Sequence, residues 1–258
     1  MSHAALLGIC AVFGLLVGSF LNVVVWRVPR HESIIRPGSH CPSCNVELSA
    51  FENIPVLAWI VLRGRCRHCG NRIAVRYPLV ELLTAGLWVG MGQHFGVTWE
   101  VPAYCALAAG LVALSLIDLD HFLLPNRVLY PTGFIVAGLL LLPAVIDGHW
   151  AAYLRAVEGG GAAFAVFFLI HIISPRGMGF GDVRLSFLLG MALGWLSWGH
   201  VFLGLFLGFL LGAVIGSSLI VFKLRSRKDP VPFGPFMAAG AMVAIFAGTQ
   251  LLDLYRGT

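Results

Sequence analysis

Eight apolar stretches, separated by polar segments, run through the 258-residue sequence. A transmembrane helix needs roughly 20 mostly apolar residues, and shorter stretches can cross a bilayer with small adjustments of tilt or thickness. Only 11% of the residues are charged, against roughly 25% in a soluble domain. The sequence therefore predicts an all-α polytopic membrane protein with about eight transmembrane helices. The predicted spans lie approximately at residues 1–26, 77–94, 101–117, 128–146, 151–173, 183–198, 201–222 and 231–254.

One long polar segment, residues 27–76, interrupts this pattern and holds eight arginines and four of the six cysteines. The remaining polar sequence is too short for a second unit outside the membrane. We therefore predict a first transmembrane helix at 1–26, a small polar loop domain at 27–76 and a seven-helix membrane core at 77–258. The first stretch lacks the basic start and the small-residue cleavage site of a signal peptide, which favours a retained span.

Basic residues are distributed asymmetrically between the predicted loops. If both termini face outward, the inner loops 27–76, 118–127, 174–184 and 223–230 hold 15 of the 17 Lys and Arg residues. The positive-inside rule predicts this asymmetry for an even number of spans, with the polar loop in the cytoplasm and both termini outside. The net charge of +5 then reflects orientation, and without an aromatic stacking surface we expect no nucleic-acid partner.

Four cysteines of the polar loop form two C-x2-C pairs, Cys41 with Cys44 and Cys66 with Cys69. Two such pairs supply the four thiolates of a tetrahedral structural zinc site. Disulfides are the first alternative, but thiols stay reduced in the cytoplasm. Redox chemistry is the second, and no thioredoxin-like pattern accompanies the pairs. Because the loop has few apolar residues, the metal would supply much of its folding energy.

Several other features carry a structural and a functional interpretation. His68, between two of the cysteines, is either a further ligand or an exposed residue, and the second is favoured. A set of loop arginines could bind an anionic ligand or lipid headgroups, or only enforce orientation, and the second is favoured: Arg63, Arg65, Arg67, Arg72 and Arg76. Gly14 and Gly18 form a GxxxG pattern that favours close helix packing. Cys10 and Cys105 are predicted to be small buried residues.

Three acidic residues lie where predicted spans meet the cytoplasmic face. Asp118 and Asp120 occur in "IDLDHFLLPN" at the end of the third span, and Asp182 follows alternating glycines in "GMGFGD" at the start of the sixth. Ionisable residues at this depth are costly and are functional candidates, although acids at a helix end can also be ordinary surface residues. Two carboxylates that share one proton can act as general acid and general base without a metal. The glycines would let a substrate backbone lie close to Asp182.

The sequence resembles the bacterial type IV prepilin peptidases, which are GxGD-type aspartic proteases, nearly from end to end. The matching segments, in the family's order, are "GSFLNVVVWRVPR", "CPSC…CRHC", "NIPVLAWIVLRGRC", "RYPLVELLTA", "IDLDHFLLPN", "GMGFGDVRLSF" and "PFGPFMAAG". The resemblance implies an inner-membrane enzyme that removes the leader of type IV prepilins or pseudopilins after a glycine, at the cytoplasmic face. It also implies methylation of the new N-terminal residue with S-adenosylmethionine.

By motif, the resemblance assigns catalysis to Asp118 and Asp182, with Asp120 in support. Two positions depart from the family's usual pattern: Asn126 stands where an aspartate is common, and Arg184 where a lysine is frequent. Gly64 matches a glycine linked to methyltransferase activity and is the candidate for the cofactor site. The loop shows no GxGxxG or βαβ pattern, so the residues alone do not define that site.

Three glutamates, Glu47, Glu52 and Glu81, could hold the cofactor ribose or the basic leader, or serve structure alone. Among whole-protein alternatives, a peptidase without methyltransferase activity uses the same dyad. A proton-coupled transporter would favour acids at mid-membrane and repeated halves, which the sequence lacks. A membrane scaffold with a zinc loop and inert acids is the remaining alternative.

Overall fold

Helices form all the long elements of the part of the chain that the computed structural model describes, residues 2–175, 177–223 and 231–256. Within these ranges the only extended pairing is two isolated β-bridges. The α-helices are α1 (His3–Arg27), α2 (Leu57–Val61), α3 (Arg76–Phe95), α4 (Glu100–His121), α5 (Asn126–Ile146), α6 (Trp150–Ile173), α7 (Phe180–Leu196), α8 (Trp198–Val221) and α9 (Gly234–Arg256).

Six of these helices, α1, α4, α5, α6, α8 and α9, are long and apolar enough to cross a membrane. The predicted all-α polytopic membrane protein is thereby confirmed. Helices α3 and α7 also correspond to predicted spans, but α7 has only 17 residues and each carries charged residues in its first two turns. A total of eight spans therefore stays a prediction.

The chain divides into two compact units, Met1–Ala113 and Leu114–Thr258, with the division inside α4. In the first unit α1 packs along α3, where a Cβ on Gly14 would lie 2.6 Å from the Cα of Ala85. At Gly18 the corresponding distance to the Cα of Glu81 is 2.7 Å. Only glycine allows this approach of two backbones, so the predicted packing role of the GxxxG pattern is confirmed.

The second unit is organised around α7, in which twelve of the 17 residues are buried. Helix α7 contacts α5, α6, α8 and α9. Its closest partner is α6, where a Cβ on Gly159 would lie 2.7 Å from the carbonyl oxygen of Gly190. At the C-terminal end of α7, the Arg155 guanidinium donates to three carbonyls of the last turn, at 2.7 to 3.2 Å. Glycine contacts and a charged cap thus fix α7 against α6.

Several helix ends differ from their predicted positions, and two of these differences concern acidic residues. Helix α4 continues four residues beyond the predicted end, so Asp118 and Asp120 lie inside the helix. It ends where Phe122 takes a left-handed conformation (φ 54°) and donates its N–H to the carbonyl of Asp118. Helix α7 begins at Phe180, so Asp182 lies in its first turn. Arg176 and residues 224–230, which carry part of the predicted inner basic charge, lie outside the described residues.

Candidate functional site

Asp118 lies in the last turn of α4 with 5% of its surface exposed. Its Oδ2 accepts a hydrogen bond of 2.9 Å from the backbone N–H of Gly234, the first residue of α9. The first N–H groups of a helix have no partner inside the helix, and the helix dipole favours negative charge there. The start of α9 is therefore suited to hold Asp118 as a carboxylate.

Asp182 is buried in the first turn of α7, three residues after the N-cap Gly179. Its side chain folds back over the cap residue: a Cβ added to Gly179 would lie only 3.2 Å from Oδ2 of Asp182. A Cβ on Gly181 would lie 3.0 Å from the Cβ of Leu124. The glycines of the GxGD segment thus make room for the Asp182 side chain and for Leu124. The sequence analysis expected them to make room for a substrate backbone and did not predict these contacts.

Leu124, in the loop after α4, connects the surroundings of the two acids. It abuts Gly181, next to Asp182, and its Cδ2 would lie 3.1 Å from a Cβ on Gly234, which binds Asp118. The carboxylates of Asp118 and Asp182 are close enough to interact electrostatically. The structure therefore brings together two acids that are 64 positions apart in sequence, whereas their catalytic roles stay predictions.

Asp120 occupies a different face of α4 from Asp118, since residues two apart on a helix do not face the same way. Its side chain is exposed. The supporting role predicted for Asp120 is not tested by this placement and stays a prediction.

The two positions that depart from the family pattern turn out to contact each other. The Arg184 guanidinium donates to Oδ1 of Asn126 at 2.6 Å, joining the first turns of α7 and α5. The same guanidinium lies 4.5 Å from the ring centre of Phe180 and 5.8 Å from that of Tyr130. Arg184 thus braces the helix start that carries Asp182.

Gly234 and Leu124 were not identified as site residues from the sequence. "PFGPFMAAG" contributed only to the resemblance, although its Pro-Phe-Gly-Pro pattern marks the start of an apolar stretch. A proline near the first residue of a helix is a common sign of a helix start, so this pattern could have predicted the start of α9. That helix start binds the buried Asp118.

The four cysteines of the polar loop meet, as their spacing predicted. Their sulfur atoms all lie within 4.8 Å of one another, and the Cys41 and Cys69 sulfurs are 3.9 Å apart. Tetrahedral zinc with bonds of about 2.3 Å requires sulfurs separated by about 3.8 Å. The cluster therefore fits a tetrahedral metal, although its identity as zinc stays a prediction.

The two C-x2-C turns have the same backbone pattern. Cys41 and Cys66 each donate their N–H to the carbonyl five residues later, and each accepts from the N–H four residues later. The amide of Asn71 donates to the Ser43 hydroxyl, which ties the turns together. Backbone N–H groups of Ser43 and Cys44 lower the pKa of Cys41 to about 6, which favours the thiolate that binds metal. At Cys44 the backbone N–H of Val46 is outweighed by burial and the neighbouring sulfurs, which raise its pKa to about 11.

Gly64 has a left-handed conformation (φ 65°) directly under the Trp59 ring. A Cβ there would lie 2.9 Å from Cζ2 of Trp59, whose Nε1 donates to the carbonyl of Ile73 at 3.2 Å. These contacts give a structural reason for glycine at this position. They do not test the predicted cofactor role.

The three candidate glutamates lie in different environments. Glu52 accepts from the N–H and hydroxyl of Ser49, which lowers its pKa, and its other oxygen lies 3.6 Å from Nε2 of His68. His68 faces Glu52, and the cysteine cluster is complete without it. Glu47 is exposed beside Gly38, whereas Glu81 is buried and accepts the N–H of Val56 at 2.7 Å.

Comparisons with known proteins match most of the chain. Residues 12–95 match the bacterial peptidase A24 N-terminal domain, and residues 105–217 match the type IV leader peptidase family. The second match includes both buried aspartates and ends before Gly234. No solved structure matches significantly.

Several curated relatives carry the name prepilin leader peptidase/N-methyltransferase. One from Stutzerimonas stutzeri is 35% identical over 96% of this chain and 93% of its own length. One from Bacillus subtilis is 34% identical over 97% and 98%, respectively. One from Myxococcus xanthus is 42% identical over 76% of this chain and 61% of its own length.

Proposed function

Because the chain belongs to the type IV leader peptidase family, we propose that it is the enzyme that cleaves prepilin leaders and methylates the new N-terminus. The substrates are type IV prepilins or pseudopilins, cut after a glycine at the cytoplasmic face. The observation that carries the peptidase activity is the pair of buried carboxylates, Asp118 and Asp182, within electrostatic range of each other.

Both acids contact helix starts, which favour negative charge: Asp118 accepts the first N–H of α9 at 2.9 Å, and Asp182 lies in the first turn of α7. The hydrogen bond from Gly234 fixes the Asp118 carboxylate in place. We assign the general base to Asp118 and the proton of the pair to Asp182. Two neighbouring carboxylates avoid carrying two negative charges in this way.

Hydrolysis then proceeds without a covalent intermediate. Asp118 takes a proton from water as the water oxygen attacks the carbonyl carbon of the scissile bond, and Asp182 donates its proton to the carbonyl oxygen. In the second step the carbon–nitrogen bond breaks, and the leaving nitrogen takes the proton held by Asp118. The proton on the former carbonyl oxygen returns to Asp182 as the carboxylic acid product forms. The dyad is thus restored.

The test of the dyad is cleavage of a co-expressed prepilin, detected as loss of leader mass. Asp118→Asn and Asp182→Asn should each abolish cleavage, whereas Asp147→Asn, at the exposed end of α5, should leave it unchanged. Processing at the normal rate by either dyad variant contradicts the assignment.

For the loop, residues 27–76, we propose a structural zinc ion held by Cys41, Cys44, Cys66 and Cys69. S-adenosylmethionine would supply the methyl group, and Gly64 is the candidate residue for its site. Gly64→Ala should abolish N-terminal methylation while cleavage continues. The matched control is Gly96→Ala, which has a similar positive φ (69°) but nothing within 4 Å of an added Cβ. Loss of methylation in both variants would point to general strain instead.

The arrangement in the membrane is also part of the proposal. We place the protein in the bacterial inner membrane with eight spans, formed by α1 and α3–α9, both termini outside, and the loop and dyad at the cytoplasmic face. The region 77–258 then forms the seven-helix membrane core. Reporter fusions at each loop would test this arrangement, and a cytoplasmic signal from either terminus would contradict it.

A further inference from the structure

Helix α2 presents an apolar face outward from the loop. Leu57, Ile60 and Val61 lie at the spacing that shares one helix face, and they are 60%, 57% and 79% exposed. Trp59 points the other way, over Gly64, so it holds the helix on the loop. Phe51, before the helix, is 79% exposed as well.

The start of α2 is fixed at a definite height along the transmembrane helices. Val56, the residue before α2, donates its N–H to the carboxylate of Glu81 in α3. Glu81 in turn packs against Gly18 of α1, a candidate span. The nine residues from Gly18 to Arg27 rise about 13 Å along α1. Helix α2 therefore begins well inside the length of α1.

The backbone at this attachment is a tight turn. Leu57 donates its N–H to the carbonyl of Pro55, and Val56 has φ 60° and ψ −50°. A β-branched residue rarely adopts positive φ, and this type of γ-turn is strained. Such strain persists only where the surroundings over-determine it. The bond from the Val56 N–H to Glu81 is one contact that holds the start of α2 beside α3.

Basic residues lie next to the apolar face. Arg63 and Arg65 follow α2 directly and are exposed, and Arg76 begins α3. Apolar residues on one face, with arginines beside them, are typical of segments that lie in the bilayer interface. Anionic lipid headgroups complement such arginines.

From this height, exposure and charge, we infer that α2 is inserted into the cytoplasmic bilayer interface. Leu57, Ile60 and Val61 contact acyl chains, and Arg63 and Arg65 contact lipid phosphates. The occupant of the apolar face is therefore lipid. This inference uses the membrane helices of the first unit and does not depend on the catalytic dyad.

Photo-crosslinking of the full-length protein tests the inference. p-Benzoylphenylalanine replaces Val61, or replaces Val46 as the control, an exposed valine (38%) of the same loop. The protein is reconstituted in liposomes of phosphatidylethanolamine and phosphatidylglycerol, and lipid adducts are identified by mass spectrometry. We expect at least fivefold more lipid adduct at position 61. Equal yields at the two positions would overturn the inference, as would a prepilin adduct that replaces the lipid adduct when prepilin is added.

Two variants test the role of the attachment to Glu81. Glu81→Leu removes the acceptor of the Val56 N–H and should reduce the lipid adduct at position 61 severalfold. Glu81→Gln keeps a carbonyl acceptor and should preserve the adduct. If both variants give the same yield as the native protein, Glu81 does not hold α2 in the interface.

Discussion

Replacing Gly234 with alanine should slow cleavage by displacing Asp118. The new Cβ would lie 2.9 Å from Oδ2 of Asp118 and 3.1 Å from Cδ2 of Leu124. Ordinary contacts begin near 3.4 Å, so the carboxylate must move by about 0.5 Å or more. A misplacement of about 1 Å can cost about 100-fold in rate, so we expect kcat to fall roughly 10- to 100-fold. The backbone N–H of residue 234 remains in this variant, so the experiment tests the position of the Asp118 carboxylate without removing the hydrogen bond that stabilises its charge.

The assay is single-turnover and steady-state cleavage of a purified prepilin in detergent or nanodiscs. KM should stay within about twofold, because the substitution changes the position of Asp118 and removes no substrate contact. The matched control is Gly161→Ala, since an added Cβ there meets nothing within 4 Å. A melting temperature measured on each variant separates slow chemistry from unfolding. Native kcat in a folded Gly234→Ala protein would refute the reasoning that α9 positions Asp118.

If Leu124 keeps the displaced Asp118 carboxylate from moving back, shortening the Leu124 side chain should restore part of the activity. Leu124→Ala in the Gly234→Ala background opens space beside the new methyl group and should restore part of kcat. If the double variant is slower by the full product of the two single effects, the two residues act independently and the proposed contact is not the cause.

Three further predictions concern packing, capping and metal. Gly159→Ala should lower the free energy of unfolding by about 1–3 kcal/mol through its contact with Gly190, whereas Gly161→Ala should be neutral or slightly stabilising in the same denaturant titration. Arg155→Met should cost about 1–3 kcal/mol in that titration by leaving the last carbonyls of α7 without their charged donor, and Arg155→Lys should recover only part of this loss. Metal removal with a strong chelator should abolish hydrogen-exchange protection in the two cysteine turns while protection of α7 stays unchanged; unchanged turns would contradict a structural metal.

Several features of the fold follow from local sequence. Apolar length predicted the long helices, because a helix that crosses lipid must satisfy its own backbone hydrogen bonds. The C-x2-C spacing predicted the cysteine cluster, since each pair forms one tight turn. The GxxxG pattern predicted the contact of α1 with its neighbour, because only glycines allow backbones so close. Helix ends were less predictable: the helix α4 continues past Ile117 to His121, since a charged residue does not by itself end a helix.

Other features of the site needed the tertiary structure. Reasons to pair Asp118 with Asp182 are present in the sequence, but it contains no signal that the first N–H of α9 binds Asp118, across 116 positions. Asn126 and Arg184 looked like two separate departures from a family pattern, and the structure shows that they are hydrogen-bonded to each other. The periodicity of apolar residues in the sequence cannot predict such pairings, because they depend on which helix ends meet in the folded protein.

The sequence by itself predicted that this protein lies in a membrane, that Asp118 and Asp182 form a pair and that the four cysteines meet. It could do so because lipid imposes apolar length, and because ligand spacing and acidic residues within apolar segments are local properties of the chain. Only the tertiary structure decided that the N–H of Gly234 binds Asp118, that Leu124 lies beside both Gly181 and Gly234, and that the N–H of Val56 binds Glu81. These contacts join distant segments, and their geometry depends on how closely whole helices pack.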